Sequence, residues 1–154
     1  PPPPLTRSAH AALLHSTKRK NAMSVFALAD KPASEQIAAI ENGLPGSTLR
    51  QIVEVLGLSQ KAVIQALRFA PRTVALRASR HEPFSATESE RLLRVVRLRK
   101  LAREVFSTDD AVAQWMTTPD PALGERTPLE MLATDLGAAR VENLVRAMIH
   151  GVPV

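Results

Sequence analysis

Ser85-Ala86-Thr87-Glu88-Ser89-Glu90-Arg91-Leu92-Leu93-Arg94-Val95-Val96-Arg97-Leu98-Arg99-Lys100-Leu101-Ala102 is the stretch whose reading decides the fold. Ser85 and Glu88 stand in capping-box relation: the serine hydroxyl can accept from the N3 amide, and the glutamate can accept from the serine amide. Beyond the box, Leu92, Val95, Val96, Leu98, Leu101 and Ala102, with Val105 further on, repeat at helical spacing and form a broad apolar stripe. The pattern predicts a helix of about 20 residues.

Downstream, Thr108-Asp109-Asp110 reads as another helix start, carrying Val112, Trp115 and Met116. Thr118-Pro119-Asp120-Pro121-Ala122-Leu123-Gly124 is a loop whose prolines limit its entropy, with Leu123 tucked beneath it. Thr127-Pro128-Leu129-Glu130 repeats the capping box, with proline at the first helical position, where its missing N–H costs nothing. A last helix is expected over about residues 138–150, ended by Gly151. Trp115, Met116, Leu129, Leu132 and Leu144 read as core.

Upstream, Ser34–Ile40 predicts a short helix stopped by Asn42-Gly43 and Pro45-Gly46. Ser47 is expected to cap a helix with Leu49, Ile52, Val53 and Leu56 on one face, ended by Gly57. Ser59 is expected to cap the next, with Ala62, Val63, Ala66 and Leu67 inward. Pro71 opens a further helix to about Ser79, broken at His81-Glu82-Pro83. Alternating strand patterns are missing, and the expected fold is all-α. Residues 1–32, which open on four prolines, read as a mobile or tag-like segment, with Met23 a candidate natural start.

The 154 residues suffice for one compact domain or two very small ones. There is no cysteine, which excludes disulfides and thiol chemistry. His10, His15, His81 and His150 are scattered, and no metal-ligand spacing, phosphate-cradling glycine loop or nucleophile elbow occurs. Asp109-Asp110 sits at a helix start, where acids favour the dipole. No enzymatic activity, metal or cofactor is expected. With one Trp and no Tyr, a single-strand binder built on stacked aromatics is disfavoured. No apolar run approaches the roughly 20 residues that span a bilayer, and no secretory signal is recognisable, so a cytoplasmic protein is expected.

Charge is unevenly spread. Residues 61–103 hold eleven Lys/Arg and three acids, and residues 104–154 hold eight acids and three arginines. A basic block beside an acidic one suggests two partners, the basic block facing nucleic acid. Short helices joined by tight turns describe a helix-turn-helix unit over 33–82. In one frame Gly57-Leu58-Ser59 is the turn and residues 60–68 read DNA with Lys61, Gln65 and Arg68. In the other, preferred, frame Arg68-Phe69-Ala70 is the turn and Arg72, Thr73, Arg77 and Arg80 face DNA, while Val74 and Ala75 or Ala78 pack inward. Arginine can bond guanine bidentately in the major groove. The expected DNA-binding residues are Lys61, Arg68, Arg72, Thr73, Arg77 and Arg80. Arg91, Arg94 and Arg97, at spacing three, read as a solvated face or partner surface.

From Phe84 onward the chain resembles the toxin-binding domain of the Xre/MbcA/ParS antitoxins. The matching residues are Ser85 to Arg94, Ala102 to Phe106, Trp115 to Gly124, Thr127 to Leu132, Gly137-Ala138 with Val141, and His150-Gly151-Val152. Upstream, Leu56-Gly57-Leu58-Ser59 and Arg72-Thr73 sit where the family's helix-turn-helix places such residues, although Ala75-Leu76-Arg77 keeps only one of a usual basic pair and Pro71 replaces a common polar residue. The resemblance implies an antitoxin that neutralises a RES-domain, NAD-depleting toxin and represses its own operon, with a toxin-binding domain over 83–154 whose C-terminal end lies at the toxin active site. On that basis Leu123, Arg126, Arg146, His150, Gly151, Val152, Pro153 and Val154 are the expected toxin-binding residues. The other reading is a plain DNA-binding regulator whose C-terminal helices only dimerise it. A homodimer is expected, because helix-turn-helix proteins usually read paired half-sites and the helix over 86–105 carries more apolar positions than one small domain needs.

Overall fold

The computed structural model describes residues 24–153. Among them the chain is helical throughout, with no strand and a single isolated bridge between Asp120 and Arg126. The elements are α1 (Ser24–Ala27, continued by a 3-10 turn at Leu28–Asp30), α2 (Ala33–Asn42), α3 (Thr48–Leu56), α4 (Gln60–Ala66), α5 (Pro71–Arg80), α6 (Ala86–Ala102), α7 (Asp109–Met116), a 3-10 turn (Pro121–Leu123), α8 (Pro128–Met131) and α9 (Asp135–Ile149).

Helix α6 is the axis of the molecule. Its capping box forms: the Glu88 amide donates to Ser85 Oγ at 3.2 Å and the Ser85 amide to Glu88 Oε2 at 2.8 Å. Leu92, Leu93, Val95, Val96, Leu98 and Ala102 are all buried, because helices before and after α6 pack on different sides of it. The apolar surplus expected to serve a homodimer is therefore consumed within one chain. A helix buried on most of its circumference needs more than one apolar stripe. Val105 lies beyond the end of the helix and is exposed.

The second capping box also forms, between Thr127 and Glu130, and Ser59 caps α4 by accepting from the Ala62 amide. Ser47 does not cap α3 with its side chain; its backbone is already helical, so the hydroxyl is not aimed at the first-turn amides. Helix α9 begins at Asp135, three residues before the sequence-based start, with Thr134 accepting from the Gly137 amide.

Residues 24–30, assigned by the sequence to a mobile segment, are helical and packed; the earlier part of that segment, Met23 included, lies outside the described residues. Val25, Phe26 and Ala29 are buried in the common core. The Arg99 guanidinium lies 4.7 Å from the Phe26 ring centroid, and Lys100 Nζ donates to the Ala29 carbonyl and pairs with Asp30. A four-residue helix shows no periodicity of its own; contacts with α6 hold it.

A buried knot fixes the turn before α3 against the entry to α6. The Leu44 amide donates to Ser89 Oγ at 2.8 Å, and the Phe84 amide donates to the Leu44 carbonyl at 2.9 Å. Gly43, at φ +84°, fits here because a Cβ would stand 2.4 Å from the Phe84 carbonyl oxygen.

Candidate functional site: the helix-turn-helix face and the C-terminal end

Both proposed turns are real. Helix α3 leads through Gly57, at φ +66°, into α4, and α4 leads through Arg68, at φ +57°, into α5. At the second turn the Phe69 amide donates to the Ile64 carbonyl and the Arg68 amide to the Gln65 carbonyl, the paired bonds of a Schellman stop.

Each candidate reading helix buries a single residue and leaves basic side chains exposed. Helix α5 buries only Val74. Ala75 and Ala78, expected alternatives for packing inward, are exposed, as are Arg72, Leu76 and Arg80. Thr73 is half-buried. Helix α4 is packed on Val63, with Leu67 buried just beyond it, and leaves Lys61, Gln65 and Arg68 exposed.

Arg77 differs from its neighbours. Its Nη1 donates to the Pro83 carbonyl at 3.0 Å, and its Nε stands 2.9 Å from Glu88 Oε2, close enough for an ion pair but not aligned as a hydrogen bond. The residue expected to read DNA beside Arg72 thus ties α5 to the cap of α6. Among the described residues Arg80 has one loose partner, Glu82 at 3.9 Å, and it stays open to solvent.

Of the arginines of α6, Arg91, Arg94 and Arg99 look inward, whereas Arg97 is half exposed to solvent. Arg91 donates to the Leu67 carbonyl, and Arg94 to the Leu132 carbonyl at 3.1 Å and to Asp135 at 3.3 Å. Arg97 approaches Glu142 at 3.9 Å. Arg99 bonds both oxygens of Asp109, at 2.8 and 3.0 Å. The Arg99 hydrogen bonds, with the charges of Arg99 and Arg103, hold the Asp109 carboxyl below its ordinary pKa, against the opposing effect of burial. The solvated-face reading fails for Arg94 in particular, because its side chain is only 12% exposed. It joins the end of α8 to the start of α9.

At the other end of the chain, α9 stops in a full Schellman motif. The Val152 amide donates to the Ala147 carbonyl at 2.9 Å and the Gly151 amide to the Met148 carbonyl at 3.3 Å, with Gly151 at φ +65°. His150, Gly151, Val152 and Pro153 are exposed on this fixed base; Val154, expected to bind the toxin, lies outside the described residues. Arg146 is exposed and lines an open cleft with Ile37 of α2 and Arg97 of α6. Leu123 is only 3% exposed, so in this arrangement it anchors its loop from beneath and offers a partner little surface. Arg126 lines a different cleft, with Gln65 of α4 and Arg68 of the turn that follows it.

Sequence reasoning missed Leu136. It projects from the first turn of α9 and is 86% exposed, more than any other large apolar side chain described. It falls out of phase with the Val141, Leu144 and Val145 stripe, a signal that the misplaced helix start concealed. Among the described residues no cluster of potential metal ligands occurs, and no helix is long and apolar enough to cross a membrane.

Residues 35–97 match the model of the antitoxin Xre-like helix-turn-helix domain, and residues 101–151 match that of the antitoxin Xre/MbcA/ParS C-terminal toxin-binding domain. Antitoxin Xre of Photorhabdus laumondii is 34% identical over 116 residues, 75% of this chain and 78% of the relative. The chain belongs to the Xre/MbcA/ParS antitoxin family. The Prs ADP-ribosylating antitoxin of a Sphingobium species is 30% identical over 126 residues, covering 76% of this chain and 79% of that protein. A chain from the crystal structure of the M. tuberculosis MbcT–MbcA toxin–antitoxin complex superposes with a TM-score of 0.54 at 28% identity, over 71% of this chain and 96% of that one. Membership decides between the two readings left open by the sequence: the C-terminal helices are a toxin-binding domain of an antitoxin, not merely a dimerisation element. The two matched regions meet within α6, whose core they share.

Proposed function

We propose that this antitoxin neutralises a RES-domain toxin that consumes NAD, and that it represses its own operon through α4 and α5 without enzymatic activity of its own. The observation that carries the reading is the placement, on one core, of two unlike surfaces. One is α5, where Arg72 and Arg80 are exposed and Thr73 is half-buried. The other is the exposed end Gly151-Val152-Pro153, held on a Schellman base. Arg72 is the leading base-contact residue, with Thr73, Lys61 and Arg80 near the backbone, and Arg77 sets the angle of α5 against α6. A positively charged helix presented this way suits the major groove.

On the toxin side, the helices supply area and the tail supplies inhibition. Pro153 has a fixed φ and no N–H, so an extended apolar end costs little to order. His150 and Arg146 flank its base. The name of the Sphingobium relative joins ADP-ribosylation with an antitoxin, and a variant of the reading is a toxin that transfers ADP-ribose from NAD to a protein. Both chemistries break the nicotinamide–ribose bond of NAD. A symmetric dimer, which would match paired half-sites, must use a surface other than the buried stripe of α6.

The test is co-expression with the product of the adjacent gene, sizing of the complex, and an NAD-consumption assay. The full chain is expected to suppress NAD loss. A chain lacking residues 151–154 is expected to stay in the complex but inhibit poorly. Labelled NAD separates transfer to protein from simple hydrolysis. Full inhibition by the truncated chain would show that the helices alone block the toxin.

A further inference from the structure

Most cations of the basic block have internal acceptors, and the few that do not show where this fold leaves positive charge for a ligand. Arg77, Arg91, Arg94, Arg97, Arg99 and Arg103 all engage carboxylates or carbonyls of the same chain. Arg68 and Arg126 do not: among the described residues neither lies within ion-pair distance of a carboxylate or donates a hydrogen bond from its guanidinium. They come from opposite halves of the sequence, yet both line one open cleft of about 560 Å³ between α4 and the segment 117–130.

The cleft carries two arginines against one carboxylate, a net positive lining. The one carboxylate lining the cleft, Glu130, already accepts from the Thr127 amide in its capping box at 2.9 Å. Gln65 adds a polar side chain at the rim. Both arginines rise from fixed backbone. Arg68 sits in the Schellman stop of α4 at φ +57°. Arg126 follows Glu125 at φ +60°, and its carbonyl accepts from the Asp120 amide at 3.1 Å, which pins the loop. Two guanidinium groups held on rigid turns, neither with a carboxylate within ion-pair distance among the described residues, can take an external phosphate.

We propose that Arg68 and Arg126 together grip a backbone phosphate of duplex DNA beside the groove entered by α5, so that the toxin-binding half of the chain takes part in DNA binding. This rests on the DNA-binding reading above. It reassigns Arg126, which the family resemblance placed on the toxin side. Arg68 opens the turn that leads directly into α5, so a phosphate held at this cleft lies next to the reading helix in the chain. Such a contact carries no sequence information; it sets register and adds affinity on any duplex.

The test measures binding of the full chain to a duplex from upstream of its own gene, and to an unrelated duplex, across a salt series. Arg126→Ala and Arg68→Ala are each compared with wild type, with Arg126→Lys and with Arg72→Ala. Losing one neutralised phosphate lowers the log–log salt slope by about 0.9, or about eight-fold in affinity near 0.1 M salt. That loss is expected for Arg126→Ala on both duplexes, with Arg126→Lys close to wild type and co-purification with the toxin unchanged. Arg72→Ala is expected to weaken the operator duplex more than the unrelated one. If Arg72→Ala weakens binding while Arg126→Ala keeps the wild-type slope and affinity, the clamp is refuted and the DNA reading stands. If Arg126→Ala instead releases the toxin and leaves DNA binding intact, the cleft belongs to the toxin and the proposal is overturned. If wild type binds neither duplex, both readings fall.

Discussion

Gly137→Ala sets two well-characterised effects against each other inside the toxin-binding half. Gly137 is the third residue of α9, with helical backbone. On propensity alone, alanine there should stabilise the helix by about 1 kcal/mol. The packing says otherwise. A Cβ at this position would stand 2.0 Å from the Met131 carbonyl oxygen and 2.9 Å from Thr134 Oγ1. The first atom is backbone in α8 and cannot rotate aside, so the start of α9 must retreat by more than an ångström. Overpacking of this kind costs about 1–3 kcal/mol, and disturbing the Thr134 cap adds about 1 kcal/mol. Subtracting the propensity gain leaves a net loss of about 1–3 kcal/mol, which for a chain of this size lowers Tm by about 2–4 °C per kcal/mol. The same retreat pulls Asp135 from Arg94, so toxin binding should weaken while operator binding holds. Thermal melting by circular dichroism and a pull-down with the toxin check both parts. A Gly137→Ala protein as stable as wild type, or more so, would refute the claim that close backbone approach outweighs helix propensity here.

Ser89→Ala nearly preserves shape but strands the buried Leu44 amide, and should cost about 1–3 kcal/mol in denaturant unfolding. Asp109→Asn should cost about 1 kcal/mol near neutral pH by weakening the Arg99 bonds. Because the folded Asp109 pKa is depressed, that contribution is present above the ordinary carboxylate value near 4 and is lost as pH falls through the folded value; the stability curves of wild type and of the Asp109→Asn variant should therefore converge in acid. Arg72→Ala should cost on the order of 1–3 kcal/mol of operator binding, measured by anisotropy titration, if it makes a bidentate base contact.

The helices were legible where their signals are local. The boxes at Ser85–Glu88 and Thr127–Glu130 bond residues three apart, so the letters alone contain both partners. Helix α9 started earlier than expected because its third residue is Gly137 rather than glutamate. The close approach to Met131 excludes any side chain there, so the box pattern could not appear. With the start misplaced, the phase of Leu136 was lost as well. Helix α1 was illegible for a different reason: the contacts of Phe26 with Arg99 and of Ala29 with Lys100 span about 70 residues, and no window of sequence contains both sides.

Charge was the least transparent signal of all. The basic block from Lys61 to Arg103 is a true feature of the sequence, but a formal charge is a surface property only if the fold leaves it unpaired. Arg94 is turned between α8 and α9, Arg99 is locked to Asp109, and Arg77 closes on the cap of α6. Several arginines counted toward nucleic acid thus hold the two halves of the molecule together, and some of their partners, Asp109, Asp135 and Glu142, belong to the acidic block that the sequence assigns to a different partner. The two blocks partly neutralise one another across α6. Among the described residues the charge of the basic block left without an acceptor sits at Lys61, Arg68 and Arg72, and the acidic block adds Arg126 and Arg146. A pair such as Arg68 and Arg126 cannot be found by regional counting, because one member lies in the half whose net charge is negative. It becomes visible only when α6 is buried from several sides and the loop before α8 is brought against α4.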